Sequence, residues 1–137
     1  MKRTATAVWN GSGKDGSGHL TTQSTTLNDA QYSYKSRFEQ GVGTNPEELI
    51  AAAHSGCFAM ALSFELQNAG LTADSLDVTC TITLEPGVGI THSDLVLKAK
   101  VPGVDDAKFQ QYAATAKANC PVSKVLNAQI SLTASLV

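Results

Sequence analysis

The sequence predicts an α+β protein in which an antiparallel β-sheet packs on a long central helix and a second helix. Three observations predict it. Strand-like segments are grouped at both ends of the chain. Between them lies an uncharged run, residues 49–64, preceded by a helix-start signal. A second segment, residues 105–119, sets Phe109, Tyr112, Ala113 and Ala116 at helical spacing. Grouped strands with helices between them, in place of a strict strand–helix alternation, indicate α+β. The 137 residues suit a single domain spanning 1–137, with no internal repeat, long linker or low-complexity segment.

Taken in order, residues 4–9 form the first expected strand, and the Gly- and Ser-rich stretch 10–18 is a flexible hairpin connection. A second strand is expected over 19–26 and a third over 32–38. The loop Gln40-Gly41-Val42-Gly43 leads into the long helix, whose start has two readings. Thr44 caps it with Glu47 reaching back as a capping box, or Asn45 caps it and Pro46 takes the first helical position. The helix ends near Asn68-Ala69-Gly70, where glycine suits the left-handed cap. Val78, Cys80, Ile82 and Leu84 then alternate with Asp77, Thr79, Thr81 and Thr83, the period of a half-buried strand. Pro86-Gly87 turns the chain, residues 92–101 return as a strand, and Pro102-Gly103 breaks it. The second helix follows, then a short helix after Cys120-Pro121, and residues 129–136 close the chain as a strand.

The long helix carries apolar or small residues on every face, among them Leu49, Ile50, Phe58, Met60, Leu62 and Phe64. A helix that is hydrophobic all round must be covered all round. A domain of this size covers one face with its own sheet, so the pattern favours a homodimer.

Composition excludes several classes. The net charge is −2 and the ten Lys and Arg residues are scattered, so there is no electrostatic case for nucleic-acid binding. The N-terminal residues carry no secretory pattern. The uncharged run is shorter than the roughly 20 residues of a membrane span and is interrupted by His54, Ser55, Gly56 and Ser63. A soluble, cytoplasmic protein without a membrane partner is therefore expected. Three widely spaced cysteines do not make a secreted disulfide framework. In a reducing compartment such cysteines matter through reactivity or metal binding.

Cys57 lies mid-helix, where a free cysteine reads first as a small core hydrophobe. It is too far from the helix start for the dipole to favour its thiolate. If it is reactive, a cation must come from elsewhere in space. Cys120 precedes a proline at the start of a short helix, where free N–H groups favour a thiolate. Cys80 points to the apolar side of its strand and reads as filling. Arg37 is one of only two arginines, with Arg3. It reads either as half of a surface pair with Glu47 or as the missing cation, held by Glu47 in a bidentate pair. Glu47 and Cys57 are ten residues apart, about 15 Å along one helix, so a site using both draws Glu47 from the other subunit. His54 is one turn before Cys57. It reads as a hydrogen-bonded core histidine before it reads as a zinc ligand with Cys57 and Cys120, because no further ligand has suitable spacing.

The same residues carry a resemblance to the OsmC/Ohr family, in its OsmC branch. The matching motifs are Arg37-Phe38-Glu39, Gly43-Thr44-Asn45-Pro46-Glu47-Glu48-Leu49-Ile50, Ala52-Ala53-His54, Cys57-Phe58 and Met60-Ala61-Leu62. Downstream they continue in Pro102-Gly103, Lys117-Ala118, Cys120-Pro121-Val122-Ser123 and Val125-Leu126. The resemblance covers essentially the whole chain in order. It implies an intertwined homodimer with active sites at the subunit interface, and neither cofactor nor metal. It implies a peroxidatic Cys57, a resolving Cys120, and Arg37 and Glu47 completing each site. Organic hydroperoxides would be the substrates and a dithiol, such as a lipoylated protein, the reductant. On that basis Cys57 becomes a sulfenic acid, Cys120 condenses with it to a disulfide, and Phe58, Met60 and Phe64 are candidates for an apolar pocket. A thiol-based redox sensor or binding module is the alternative, in which the same disulfide alters partner binding.

Overall fold

A computed structural model describes residues 1–137, which divide into two compact units, Met1–Leu49 and Ile50–Val137. The fold class is α+β, as the grouped strands indicate.

In the first unit, β1 (Ala5–Asn10), β2 (Ser17–Thr22) and β3 (Ala30–Ser33) form an antiparallel sheet in the order β1-β2-β3. The expected third strand over 32–38 is corrected here. Only its first two residues stay in the sheet, and Tyr34–Phe38 coil into helix α1. Ser33 and Ser36 cause the change. Ser36 N–H donates to Ser33 Oγ (3.2 Å) and Ser33 N–H donates to Ser36 Oγ (2.9 Å), which satisfies two backbone donors at the helix start.

The long helix α2 spans Pro46–Asn68. Of its two readings the Asn45 cap is the one formed, since Glu48 N–H donates to Asn45 Oδ1 at 2.9 Å and Pro46 takes the first helical position. Glu47 is thereby released from capping. The helix closes on Gly70, whose φ of 74° is the left-handed cap expected for glycine.

In the second unit, β4 (Ser75–Glu85), β5 (Gly89–Lys100) and β6 (Gln129–Leu136) form a sheet in that order. The expected single antiparallel sheet is thus two three-stranded sheets, and β6 runs parallel to β5. The reason is the crossover. Helices α3 (Asp106–Asn119) and α4 (Pro121–Val125) carry the chain back to the end where β5 began, and a returning strand of that kind pairs parallel.

The core of this unit is built from one stripe per element. Phe58, Leu62 and Leu66 recur every four residues on α2 and Leu95, Leu97 and Ala99 every second residue on β5. Phe109, Ala113 and Ala116 of α3 complete it. Full burial of each large side chain is worth about 1.5–3 kcal/mol. Both stripes begin on a polar residue. His54 precedes Phe58 by four and Ser93 precedes Leu95 by two, and both are fully buried.

By length and composition alone, α2 could cross a membrane. Its Phe58–Leu66 stripe lies instead in the protein core, while Met60 and Phe64 on another face are 64% and 56% exposed.

Candidate active site

The structure gathers the four predicted residues as two pairs, Arg37 with Glu47 and Cys57 with Cys120.

The first pair is set by the turn between α1 and α2. Ser36 Oγ donates to Thr44 O at 2.8 Å, and Asn45 Nδ2 donates to Ser36 O at 3.1 Å, so the two helix starts are tied together. Gly43 makes the turn feasible. Its φ is 111°, and a Cβ there would lie 2.1 Å from Gln31 O, so only glycine fits. The Arg37 guanidinium then grips the Glu47 carboxylate with Nε at 3.0 and 3.2 Å from its two oxygens and Nη2 at 2.7 Å from Oε1. This fork fixes the plane of the guanidinium. Glu47 is only 11% exposed and Arg37 is 38% exposed, so one edge of the cation faces outward. Arg37 also sits 5.0 Å over the Phe38 ring. Beside it is a cavity of about 250 Å³ lined by Trp9, Tyr32, Tyr34, Phe38 and Arg37 itself.

The second pair joins α2 to the α3–α4 junction. Cys120 ends α3, its N–H donating to Ala116 O at 2.9 Å, and begins α4 with Pro121 at the first position. Its sulfur lies 2.8 Å from Cys57 Sγ. Both are free thiols, and a small closing movement reaches the about 2.05 Å of a disulfide bond. Cys120 is fully buried, whereas Cys57 is half-exposed.

Their environments differ. Burial pushes the Cys57 thiol up, as do its hydrogen bond with Cys120 and the proximity of that sulfur's charge; only the Val122 N–H pulls it down. Burial acts the same way on Cys120. There it is outweighed by the hydrogen bond with Cys57, by the N–H and hydroxyl of Ser123, and by the N–H of Val122, so its pKa moves down. The sulfur makes no cap hydrogen bond at the start of α4, where Pro121 holds the first position.

His54 is the buried, hydrogen-bonded core histidine of the sequence reading. Its Nδ1 is 2.6 Å from Ser93 Oγ and its Nε2 is 2.8 Å from Ser123 Oγ. With both nitrogens engaged it has no lone pair free for zinc. Ser93 and Ser123 were missed by sequence reasoning, although a histidine heading an apolar i, i+4, i+8 stripe signals that buried partners must exist. Burial lowers the His54 pKa from its ordinary 6.5. The folded state holds the imidazole neutral while the unfolded chain protonates it, so stability is fully present above about pH 6.5 and falls as pH drops below it. The thermal unfolding midpoint is therefore expected to decline from pH 7 to pH 5, with that part of the decline absent in His54→Gln. An unchanged acid profile in the variant would show that another group is responsible.

The expected apolar pocket is corrected in part. Phe58 is fully buried in the core and cannot line a pocket, and Met60 and Phe64 lie exposed on α2. The aromatic side chains that do form a cavity are those beside Arg37.

Fold and site together define an α+β protein with a closely spaced dithiol and a carboxylate-clamped arginine. Residues 39–135 match the family model described as OsmC-like protein. The chain is 46% identical over 129 residues to peroxiredoxin OsmC of Escherichia coli, covering 92% of this chain and 90% of that protein. It is 31% identical over 102 residues to an organic hydroperoxide resistance protein of Xanthomonas axonopodis, covering 70% and 68%. Among solved structures, OhrB of Bacillus subtilis, an organic hydroperoxide resistance protein, superposes with a TM-score of 0.70 at 25% identity, covering 96% of this chain and 98% of that one. The chain belongs to the OsmC family. Its relatives' names support a peroxidase-type oxidoreductase role.

Proposed function

We propose that the protein is a thiol-dependent peroxidase that reduces organic hydroperoxides to alcohols, with Cys57 peroxidatic and Cys120 resolving. The observation that carries this reading is the dithiol itself: two free sulfurs 2.8 Å apart, of which only Cys57 is accessible to a peroxide. Accessibility, rather than acidity, assigns the roles, because a fully buried Cys120 cannot meet a substrate. Arg37 supplies the cation that Cys57 lacks, and the Glu47 fork aims it. The Cys57 thiolate attacks the distal peroxide oxygen, the O–O bond breaks, and the alkoxide leaves as alcohol after taking a proton. Arg37 stabilises the charge developing on that oxygen. The Cys57 sulfenic acid then condenses with Cys120, releasing water and forming the disulfide, and a dithiol reductant such as a lipoylated protein restores both thiols.

Residues 1–137 act in this scheme as one OsmC-like domain within an intertwined homodimer. Ten residues of helix separate Glu47 from Cys57, about 15 Å, so the clamp serving one Cys57 comes from the second chain. The exposed Met60 and Phe64 on α2 suit coverage by that chain. The protein is read as cytoplasmic, in keeping with thiols that must be re-reduced after each turnover.

The test is steady-state turnover with a dithiol across a panel of hydroperoxides, with mass spectrometry of the Cys57–Cys120 linkage. An aromatic hydroperoxide is expected to be preferred over hydrogen peroxide, since the cavity beside Arg37 offers Trp9, Tyr32, Tyr34 and Phe38 to an organic group. Tyr34→Ala should raise KM for the aromatic substrate and leave hydrogen peroxide unaffected. Slow, stoichiometric oxidation without turnover would identify a redox sensor instead.

A further inference from the structure

Trp9, the single tryptophan of the chain, lines the cavity beside Arg37 and is held there from three sides. It lies on β1 directly across from Gly18 of β2, and Gly18 lies across from Tyr32 of β3. The three positions form one cross-strand row, with their side chains on one face of the sheet. Gly18 adds no side chain to that row. The rings on either side close over it, with centroids 5.3 Å apart and planes inclined at 51°. Gly18 is buried as a result, although every residue of β1 is exposed.

Glycine is needed at position 18 for room and not for backbone freedom, since its φ lies outside the left-handed region. A Cβ there would lie 2.6 Å from Tyr32 Cε1 and 2.9 Å from Trp9 Cε3, and it would also meet the Val8 carbonyl. The hairpin loop fixes the other edge of the indole. Trp9 Nε1–H is shared between Gly11 O at 3.2 Å and Ser12 O at 3.3 Å. Gly16 leaves space for that edge, because a Cβ there would lie 3.0 Å from Trp9 Nε1.

We propose that Trp9 is a specificity-determining residue that selects aryl hydroperoxides over saturated ones of the same size. This rests on the peroxidase reading and names the substrate class within it.

Apolar area alone draws any organic group into the cavity. An aromatic wall adds a preference of its own, because rings attract one another in offset or edge-to-face arrangements beyond what area burial gives. Two inclined rings bordering one cavity offer a third ring both arrangements. Much of that gain is lost when a wall must be ordered at the moment of binding. Trp9 is ordered beforehand, by the strand row, by Gly18 and by the loop carbonyls. Its one polar atom is already engaged, so a bound apolar ring leaves no donor unpaired. The side chain is still 36% exposed, which leaves ring surface for a ligand to cover. At about 250 Å³ the cavity is smaller than the pockets that enclose drug-sized ligands, a scale that suits one ring with a short branch. The competing account is that Trp9 and Tyr32 only cover a strand glycine and pin the hairpin.

The experiment compares two tertiary hydroperoxides of equal carbon count, cumyl hydroperoxide and its cyclohexyl counterpart, in steady state with a dithiol. The quantity read is the ratio of their kcat/KM values. In the native protein the phenyl compound should lead by about threefold to tenfold, the scale of one aromatic contact. Trp9→Leu keeps apolar bulk and loses the π-face. It should lower the ratio about threefold, through KM of the phenyl compound with kcat unaltered. Trp9→Phe keeps a ring but not the N–H tie and should fall between. Gly18→Ala should resemble Trp9→Leu although the indole remains, because the new Cβ displaces both rings. If Gly18→Ala does not fold, the two Trp9 variants decide; they alter an exposed strand and leave the core intact. A native ratio retained in Trp9→Leu would overturn the proposal, even with both substrates equally slowed, since Trp9 would then serve only the hairpin. A second readout needs no turnover. Emission from the single tryptophan should change saturably as cumyl alcohol, the product, is added to the reduced protein. A linear response without saturation would likewise overturn the proposal. Native protein that binds the alcohol saturably yet turns over neither hydroperoxide would overturn the peroxidase reading and leave the aryl-binding wall standing, so the two failures are distinguishable.

Discussion

Cys57→Ser is expected to reduce hydroperoxide turnover to background, a loss on the order of 10³–10⁶ in keeping with removal of a catalytic nucleophile. Two physical facts combine in that figure. A serine hydroxyl is not ionised at neutral pH and has no adjacent base here, so it cannot replace a thiolate as nucleophile. Nor can Cys120 substitute from behind, because its side chain is fully buried. Cys120→Ser behaves differently. It retains the partly accessible Cys57 thiol, so one equivalent of hydroperoxide per chain should be consumed and an alcohol released, after which the Cys57 sulfenic acid persists and turnover stops. The pair of results is measured by peroxide consumption and by intact-mass analysis, where the Cys120→Ser variant gains one oxygen and no disulfide. Multi-turnover activity in Cys57→Ser would remove this residue from the mechanism.

Legibility of the fold followed the strength of local signals. The Asn45-Pro46 cap, the Gly70 stop and the alternation through Val78, Cys80 and Ile82 are local rules, and α2 and β4 lie where those rules put them. The segment 32–38 misled because its Tyr and Phe residues have strand propensity, while the reciprocal Ser33–Ser36 bonds that turn it into α1 need only two short side chains. The parallel β5–β6 pairing was illegible because it depends on where α3 and α4 deliver the chain, not on any residue in β6. At the site, Cys57 and Cys120 are 63 residues apart, and their 2.8 Å approach is a tertiary fact. Motif resemblance named the two cysteines together; periodicity alone placed Cys57 in the core. His54 was legible as a core histidine. Its partners were not, since Ser93 and Ser123 are ordinary residues until the fold sets one on each side of the ring.

Arg37→Met is expected to lower the rate of Cys57 sulfenic acid formation by about 10²–10³, the range for removing one preorganised charge donor from a reacting oxygen. Arg37→Lys should recover little of it. Lysine restores the charge but is a point donor on a flexible stem and cannot fill both oxygens of Glu47 as the guanidinium does at 2.7–3.2 Å. Glu47→Gln tests aim rather than charge. Its amide carbonyl still accepts one bond, so the expected loss is smaller, and the Arg37→Met/Glu47→Gln double variant should be no worse than Arg37→Met alone. The same variants should scarcely change the unfolding midpoint, because a partly exposed ion pair adds little to stability. That contrast decides between the two readings the sequence left open for Arg37. A surface pair would show a small stability change and an unaltered rate. A catalytic clamp shows an unaltered midpoint and a collapsed rate, with the collapse in the first chemical step and disulfide closure from preformed sulfenic acid untouched.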